Sequence, residues 1–211
     1  MIHGARRFVK ICGITRAQDG VFAVEAGADA IGVNLVPTSK RAVSESTARQ
    51  IAEAVASRAM VVAVVADEST DRLRALRDST GIDWFQLHGC ESPGELSLLL
   101  PRAYKAVRIG EAADVESAAR FPGDWLLVDA KVPGQLGGTG ERFDWSLVRG
   151  LAAARKLILA GGLDPDNVAA AIRAVDPWGV DVASGVEQEP GLKDEAKVMA
   201  FISAVRSQDP R

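Results

Sequence analysis

The chain has 211 residues, of which 47% are apolar and 25% charged, and its net charge is −3. Such a balance belongs to a soluble globular protein with side chains enough for a sizeable core, and the slight acidity, with no block of Lys or Arg, excludes an electrostatic footprint for nucleic acid or an anionic membrane surface. No run approaches the roughly 18 apolar residues of a membrane helix, "MIHGARRFVKICG" lacks the apolar stretch of a signal peptide, and the expected location is cytoplasmic.

Along the chain, short β-branched runs recur, each followed by a helical pattern: FVKIC (8–12), AIGVNLV (30–36), MVVAVV (60–65), WFQLH (84–88), YKAV (104–107), WLLVD (125–129), KLILA (156–160) and GVDVA (179–183). Between them, apolar residues fall at helical spacing: Ala48, Ile51, Ala52 and Val55, then Val168, Ala171, Ile172 and Val175, then Val198, Phe201, Ile202 and Val205. Ser44 and Ser69 are placed as N-caps, Asp164-Pro165 reads as an N-cap with proline at the first helical position, and a further helix is expected around 112–120. Eight strand–helix units over this length predict one domain, 1–211, folded as a closed α/β (β/α)8 barrel, with an open doubly wound sheet as the alternative.

In such a barrel the reactive face lies at the carboxyl ends of the strands. Cys12 ends the first strand, His88 the fourth and Asp129 the sixth, while Arg41 sits in the loop after the second. Strand alternation points Lys10 the same way as Cys12, and Gln86 the same way as His88. A lysine inside a barrel needs a partner, and closure brings Asp181 of the eighth strand beside it, so a Lys10–Asp181 pair is predicted.

Cys12 and Cys90, with only His3 and His88 for company, lack the spacing of a zinc site, and a cytosolic setting argues against a disulfide, so no metal is expected. Cys90 reads as an incidental loop thiol. His88 reads either as a structural group or as a hydrogen-bond partner of a substrate. The loops AGGLDPDN (160–167) and SGVEQEPG (184–191) follow the seventh and eighth strands, where barrels hold a phosphate on backbone N–H groups. PGQLGGTGERFDW (133–145) is either a lid or a flexible connection.

The ordered blocks VKICGIT, GADAIGVNLVPTSKR, QLHG, LLVDAKVPGQLGGTGERFDW, LAGGLDPDNV and GVDVASGVEQEPGLKD closely resemble the phosphoribosylanthranilate isomerase family of tryptophan biosynthesis, over residues 9 to about 201. The resemblance implies a (β/α)8 barrel that converts N-(5-phosphoribosyl)anthranilate to 1-(o-carboxyphenylamino)-1-deoxyribulose 5-phosphate, an Amadori rearrangement without a cofactor. Its partner would be this small phosphorylated substrate, and the protein a monomer or homodimer. By the same resemblance Cys12 is the general base, Asp129 the general acid, Arg41 the group facing the anthranilate carboxylate, and Gly161, Gly162, Ser184 and Gly185 the phosphate contacts. The sequence departs from the family where aromatic residues are frequent, reading Val33-Asn34-Leu35, and where the first serine of VSSGVE becomes Ala183.

The acid and base roles set an electrostatic problem. A free cysteine titrates near ~8.5 and a free aspartate near ~3.9, so at neutral pH both begin in the wrong protonation state. Repulsion between the two anions in one dry pocket is expected to leave the pair with one shared proton. Two other functions are weighed. A phosphosugar barrel using strand-end Lys and Glu is disfavoured because the second and third strands end in Asn34-Leu35 and Val65-Ala66, and a non-catalytic metabolite-binding barrel is disfavoured by Cys12 and Asp129 occurring together.

Overall fold

All eight β-branched runs form strands, with ends within two residues of those read from the sequence. In the computed structural model, which describes residues 6–130 and 145–209, they are β1 Phe8–Cys12, β2 Ala30–Asn34, β3 Met60–Val65, β4 Trp84–Leu87, β5 Ala103–Ile109, β6 Trp125–Ala130, β7 Lys156–Ala160 and β8 Gly179–Val182. They pair in parallel in chain order, and β8 returns to β1 to close the barrel. The outer ring is α1 Ala17–Glu25, α2 Glu45–Val55, α3 Thr70–Thr80, α4 Pro93–Ser97, α5 Ala112–Ala119, α6 Arg149–Ala154, α7 Val168–Val175 and α8 Glu195–Arg206, and a small antiparallel pair, β9 Glu187–Glu189 with β10 Leu192–Lys193, follows β8. Apart from Trp145, the lid or connection expected over 133–145 lies outside the described residues.

The strands are apolar on both faces because each face is covered. Outward residues such as Val9, Ile11, Ile31 and Val33 pack under the helices in one cluster, and inward residues, among them Phe8, Ala30, Val62, Tyr104, Leu127 and Ile158, fill the barrel in another. The helix faces match the spacing: α7 buries Val168, Ala171, Ile172 and Val175, α8 buries Val198, Phe201, Ile202 and Val205, and α2 buries Ala48, Ile51 and Val55 with Ala52 half-buried beside them. Ser44 and Ser69 accept from the Thr47 and Arg72 amides as N-caps. The start of α7 differs from the expectation. Asp164 does receive the Asp166 and Asn167 amides at 2.9 and 2.8 Å, but the helix begins only at Val168. Asn167 is the reason: its side chain accepts from the Asp164 amide and donates to the Gly162 carbonyl at 2.8 Å, bracing the loop in a turn before the helix.

Aromatic residues plug the amino-terminal end of the barrel. Phe8 stacks on Trp178 at 4.8 Å, and Trp125 meets Phe8 edge-on at 5.3 Å and Trp84 at 5.0 Å. Above this plug comes a polar layer. Lys10 Nζ donates to Asp181 Oδ1 at 2.9 Å, the pair expected from barrel closure, and to Gln86 Oε1 at 3.0 Å, which also accepts from the Tyr104 hydroxyl at 3.1 Å. A buried charge left alone would be costly, and here every member has a partner. The plug and this layer leave the interior open towards the carboxyl ends of the strands.

Candidate active site

The open end holds a cavity of about 420 Å³. Seven of the eight site residues read from the sequence line it: Cys12, Arg41, His88, Asp129, Gly161, Gly162 and Ser184. Gly185 does not; it faces an adjoining depression beside Asp164 and Pro165. The seven come from six places that together span more than 170 residues of the chain, and parallel closure alone brings the strand ends to one rim. Among the described residues, no group of three or more His, Cys, Asp or Glu is arranged to hold a metal, and Cys12 and Cys90 are both free thiols.

Cys12 is half-buried at the top of β1. Burial pushes its thiol above the ordinary range, and the Lys10 ammonium below it, as charge and hydrogen-bond donor, offsets only part of that rise. Asp129, half-buried at the top of β6, is also pushed up by burial, against the pull of His88 and Arg108. The direction is the one a proton donor needs. Mutual repulsion between Cys12 and Asp129 was the expected cause of their unequal protonation. Burial is instead the leading cause for each, and the carboxylate that adds to it in both cases is Asp181.

His88 is held by a chain of donors with one possible sense. An ammonium only donates, so the Gln86 atom that faces Lys10 must be its carbonyl oxygen, which leaves Nε2 of Gln86 to donate to His88 Nδ1 at 3.3 Å. Burial holds the imidazole pKa below its ordinary value, so the neutral ring carries its proton on Nε2. His88 therefore has both a structural partner and a free donor.

Arg41 lies across the mouth beside Gly13, where any Cβ would collide with the arginine Cδ and where φ is +74°. Its Nε and Nη2 donate to the two oxygens of Glu187 at 2.8 and 2.6 Å. Glu187 also accepts from Lys193 at 2.9 Å, and Lys193 reaches the Ala183 carbonyl at 3.0 Å. Burial opposes a carboxylate there, but the hydrogen bonds from Arg41 and Lys193 win and hold Glu187 below the usual range. The β9–β10 hairpin thus presents a buried acid that fixes the guanidinium in place.

The loops after β7 and β8 meet closely. Gly161 and Gly162 have φ of +95° and +61°, and a Cβ on Gly185 would fall inside contact distance of the Leu163 carbonyl oxygen. Gly185 therefore has a packing reason to lack a side chain. Gly185→Ala is expected to cost about 3 kcal/mol by overpacking and to lower Tm by roughly 5–10 °C, read by thermal denaturation.

With this geometry in view, the comparisons with known proteins are direct. The sequence model of the N-(5'-phosphoribosyl)anthranilate isomerase family matches residues 9–204. The chain belongs to this family. The N-(5'-phosphoribosyl)anthranilate isomerase of Magnetococcus marinus is 44% identical over 198 residues, covering 94% of each chain. The solved phosphoribosylanthranilate isomerase of Thermotoga maritima superposes with a TM-score of 0.86 at 38% identity, covering 95% of this chain and 99% of that one. A further structure, of the isomerase in complex with reduced 1-(o-carboxyphenylamino)-1-deoxyribulose 5-phosphate, gives a TM-score of 0.85 at 35% identity, again covering 95% and 99%. The chain is accordingly an isomerase with the family's (β/α)8 barrel.

Within this isomerase barrel three side chains near the site escaped the sequence reading. Arg108 lines the cavity and stands opposite Asp129 in the β5–β6 register. Its signal was available: the fifth run was ended at Val107, and counting two further from Ala106 along the inward face reaches Arg108 at the rim. Glu187 and Lys193 gave no such signal. They flank the Glu-Pro-Gly turn of 189–191 and read as solvated loop charges until the hairpin folds them inward.

Proposed function

We propose that the chain catalyses the Amadori rearrangement of N-(5-phosphoribosyl)anthranilate to 1-(o-carboxyphenylamino)-1-deoxyribulose 5-phosphate, a step of tryptophan biosynthesis, with Asp129 as general acid and Cys12 as general base. The observation that carries this reading is that a protonation-prone aspartate and a cysteine beside a buried ammonium line one cavity, between a fixed arginine and two glycine loops. Family membership and the related isomerase solved with a reduced form of the product support the substrate.

Asp129 donates its proton to the furanose ring oxygen as the C1–O bond breaks and the nitrogen lone pair forms C=N, giving an open-chain protonated imine. Cys12 as thiolate takes the proton from C2. An S–H bond forms, the C2–H pair moves into a C1–C2 double bond, and the imine nitrogen receives the displaced electrons. Tautomerisation of this enolamine gives the ketone. The reaction has no net redox change, so an acid and a base suffice and no cofactor is required.

Arg41 binds the anthranilate carboxylate. Of its five N–H donors two are spent on Glu187, and the outer Nη1–Nη2 edge still offers a bidentate face. Arg41→Lys is expected to raise KM about tenfold, with kcat changed far less, because a lysine cannot hold Glu187 and a carboxylate in one plane. The backbone N–H groups of Gly161, Gly162 and Ser184, which line the cavity, take the phosphate, with that of Gly185 behind them at the adjoining depression, and the Nε2 proton of neutral His88 is available to a substrate oxygen. We place the enzyme in the cytoplasm as a monomer or homodimer, the Thermotoga maritima isomerase being described as dimeric. Among the described residues no helix is long and apolar enough to cross a membrane.

The test is to supply phosphoribosylanthranilate and follow the loss of its anthranilate fluorescence. Conversion without added metal or cofactor is the expected result. A folded, pure protein that leaves the fluorescence unchanged would replace this reading with that of a barrel that only binds a phosphorylated metabolite.

A further inference from the structure

A barrel interior is ordinarily filled by branched apolar side chains, and a buried ion pair contributes little to stability compared with such packing. The pair Lys10–Asp181 lies nonetheless in the layer directly beneath the cavity, with Lys10 fully buried. Its position relative to Cys12 is fixed by Gly32, the β2 residue paired with Cys12. A Cβ on Gly32 would sit 2.7 Å from the Cys12 sulfur and 3.0 Å from Lys10 Nζ, so both atoms crowd one point that only glycine leaves open. An ammonium has three N–H bonds. Two are directed to Asp181 Oδ1 and Gln86 Oε1, and the third remains for the sulfur.

We propose that Lys10 is a positioning residue for the isomerase reaction, its third N–H directed at the Cys12 sulfur so as to favour the thiolate aimed into the cavity, with Asp181 as the opposing charge that limits the effect. This rests on the reading of Cys12 as the base. The groups that face Cys12 come from five elements: Lys10 on β1, Asp181 on β8, Lys193 on β10, Arg41 after β2 and Tyr104 on β5. Burial holds the Tyr104 hydroxyl pKa above its ordinary value, so the phenol stays neutral. Of the three cations, Lys10 acts on the sulfur most strongly, and Arg41 and Lys193 share the Glu187 carboxylate. Lys10 itself does not surrender a proton: burial favours its discharge, but Asp181 first, with Cys12 and Tyr104, together outweigh this and raise its pKa. When Cys12 takes the C2 proton, the sulfur loses its charge and the Lys10–Asp181 pair is left intact below it.

The experiment measures alkylation of Cys12 by iodoacetamide against pH, in a Cys90→Ser background so that one thiol reports. The thiolate displaces iodide, forming the S–C bond as the C–I bond breaks, so the rate tracks the thiolate fraction. Lys10→Gln is expected to slow alkylation at pH 8 about tenfold, the size of a one-unit shift to higher pH, and to lower kcat with little change in KM. Asp181→Asn is expected to move the alkylation midpoint the opposite way. A structural role alone would not move the two variants in opposite directions.

If Lys10→Gln does not fold, the double variant Lys10→Gln/Asp181→Asn removes both buried charges, and it should react more slowly than Asp181→Asn alone. Equal alkylation profiles in the folded variants, or shifts of the same sign, overturn the proposal. Shifts as expected, alongside near-normal turnover by Cys12→Ser, would overturn the assignment of Cys12 as base while leaving its coupling to Lys10 in place.

Discussion

Asp129→Asn is expected to lower kcat by about 10²–10⁴-fold while KM changes little, the loss typical of removing a positioned general acid. The substitution keeps the shape of the side chain but leaves no acidic proton for the ring oxygen. Because it removes a carboxylate that burial disfavours, Tm should stay level or rise, and a stability scan separates the chemical loss from misfolding. The pH profile adds a signature. In the wild type kcat/KM should rise as pH passes the lower titration of the site, mainly Asp129, and fall above the upper one, mainly Cys12. Between these limits the active fraction is the one in which the shared proton sits on Asp129 and not on the thiol. In Asp129→Asn the residual activity should instead climb with pH through the Cys12 titration, since only thiolate formation then limits it. Near-normal turnover, or an unchanged bell, would remove Asp129 from its role.

Cys12→Ser is the second large effect, expected to cut kcat by about 10²–10⁴-fold with Tm within a few degrees of wild type. Serine fits the space beside Gly32, but its hydroxyl does not ionise in the range where a thiol does, so the Lys10 ammonium has no anion to stabilise on β1. Alkylation of the wild-type Cys12 should abolish turnover, and saturating substrate should slow that alkylation by covering the cavity. Measured by the same fluorescence assay, turnover of Cys12→Ser within tenfold of wild type would assign the proton abstraction to another group.

These expectations separate what sequence periodicity can carry from what it cannot. Strand positions were legible because each strand is buried on both faces and so is mostly apolar, and Cys12, His88 and Asp129 stood out as reactive residues at the ends of such runs. Even the Lys10–Asp181 pair followed from alternation plus closure, since a charge pointing into a barrel demands a neighbour on the next strand. Arg108 was within reach of the same counting and was lost only because the fifth strand runs two residues further than its apolar core. The start of α7 was misplaced for a local reason: the Asn167 side chain competes with the helix for the Asp164 and Gly162 backbone groups.

Glu187 and Lys193 belong to a different category. Glu187 meets Arg41 across 146 residues of sequence, and nothing in the spacing of either marks the partnership. The sequence by itself determined the eight-unit barrel, the rim on which the reactive residues lie and their membership of one site, because burial imposes a pattern on every strand. Only the tertiary structure decided which way the protonation of each group in that site is pushed. Protonation depends on which ions lie within a few ångströms and how much water remains, and here Lys10, Asp181, Arg41 and Glu187, drawn from distant elements, set both for Cys12 and its surroundings.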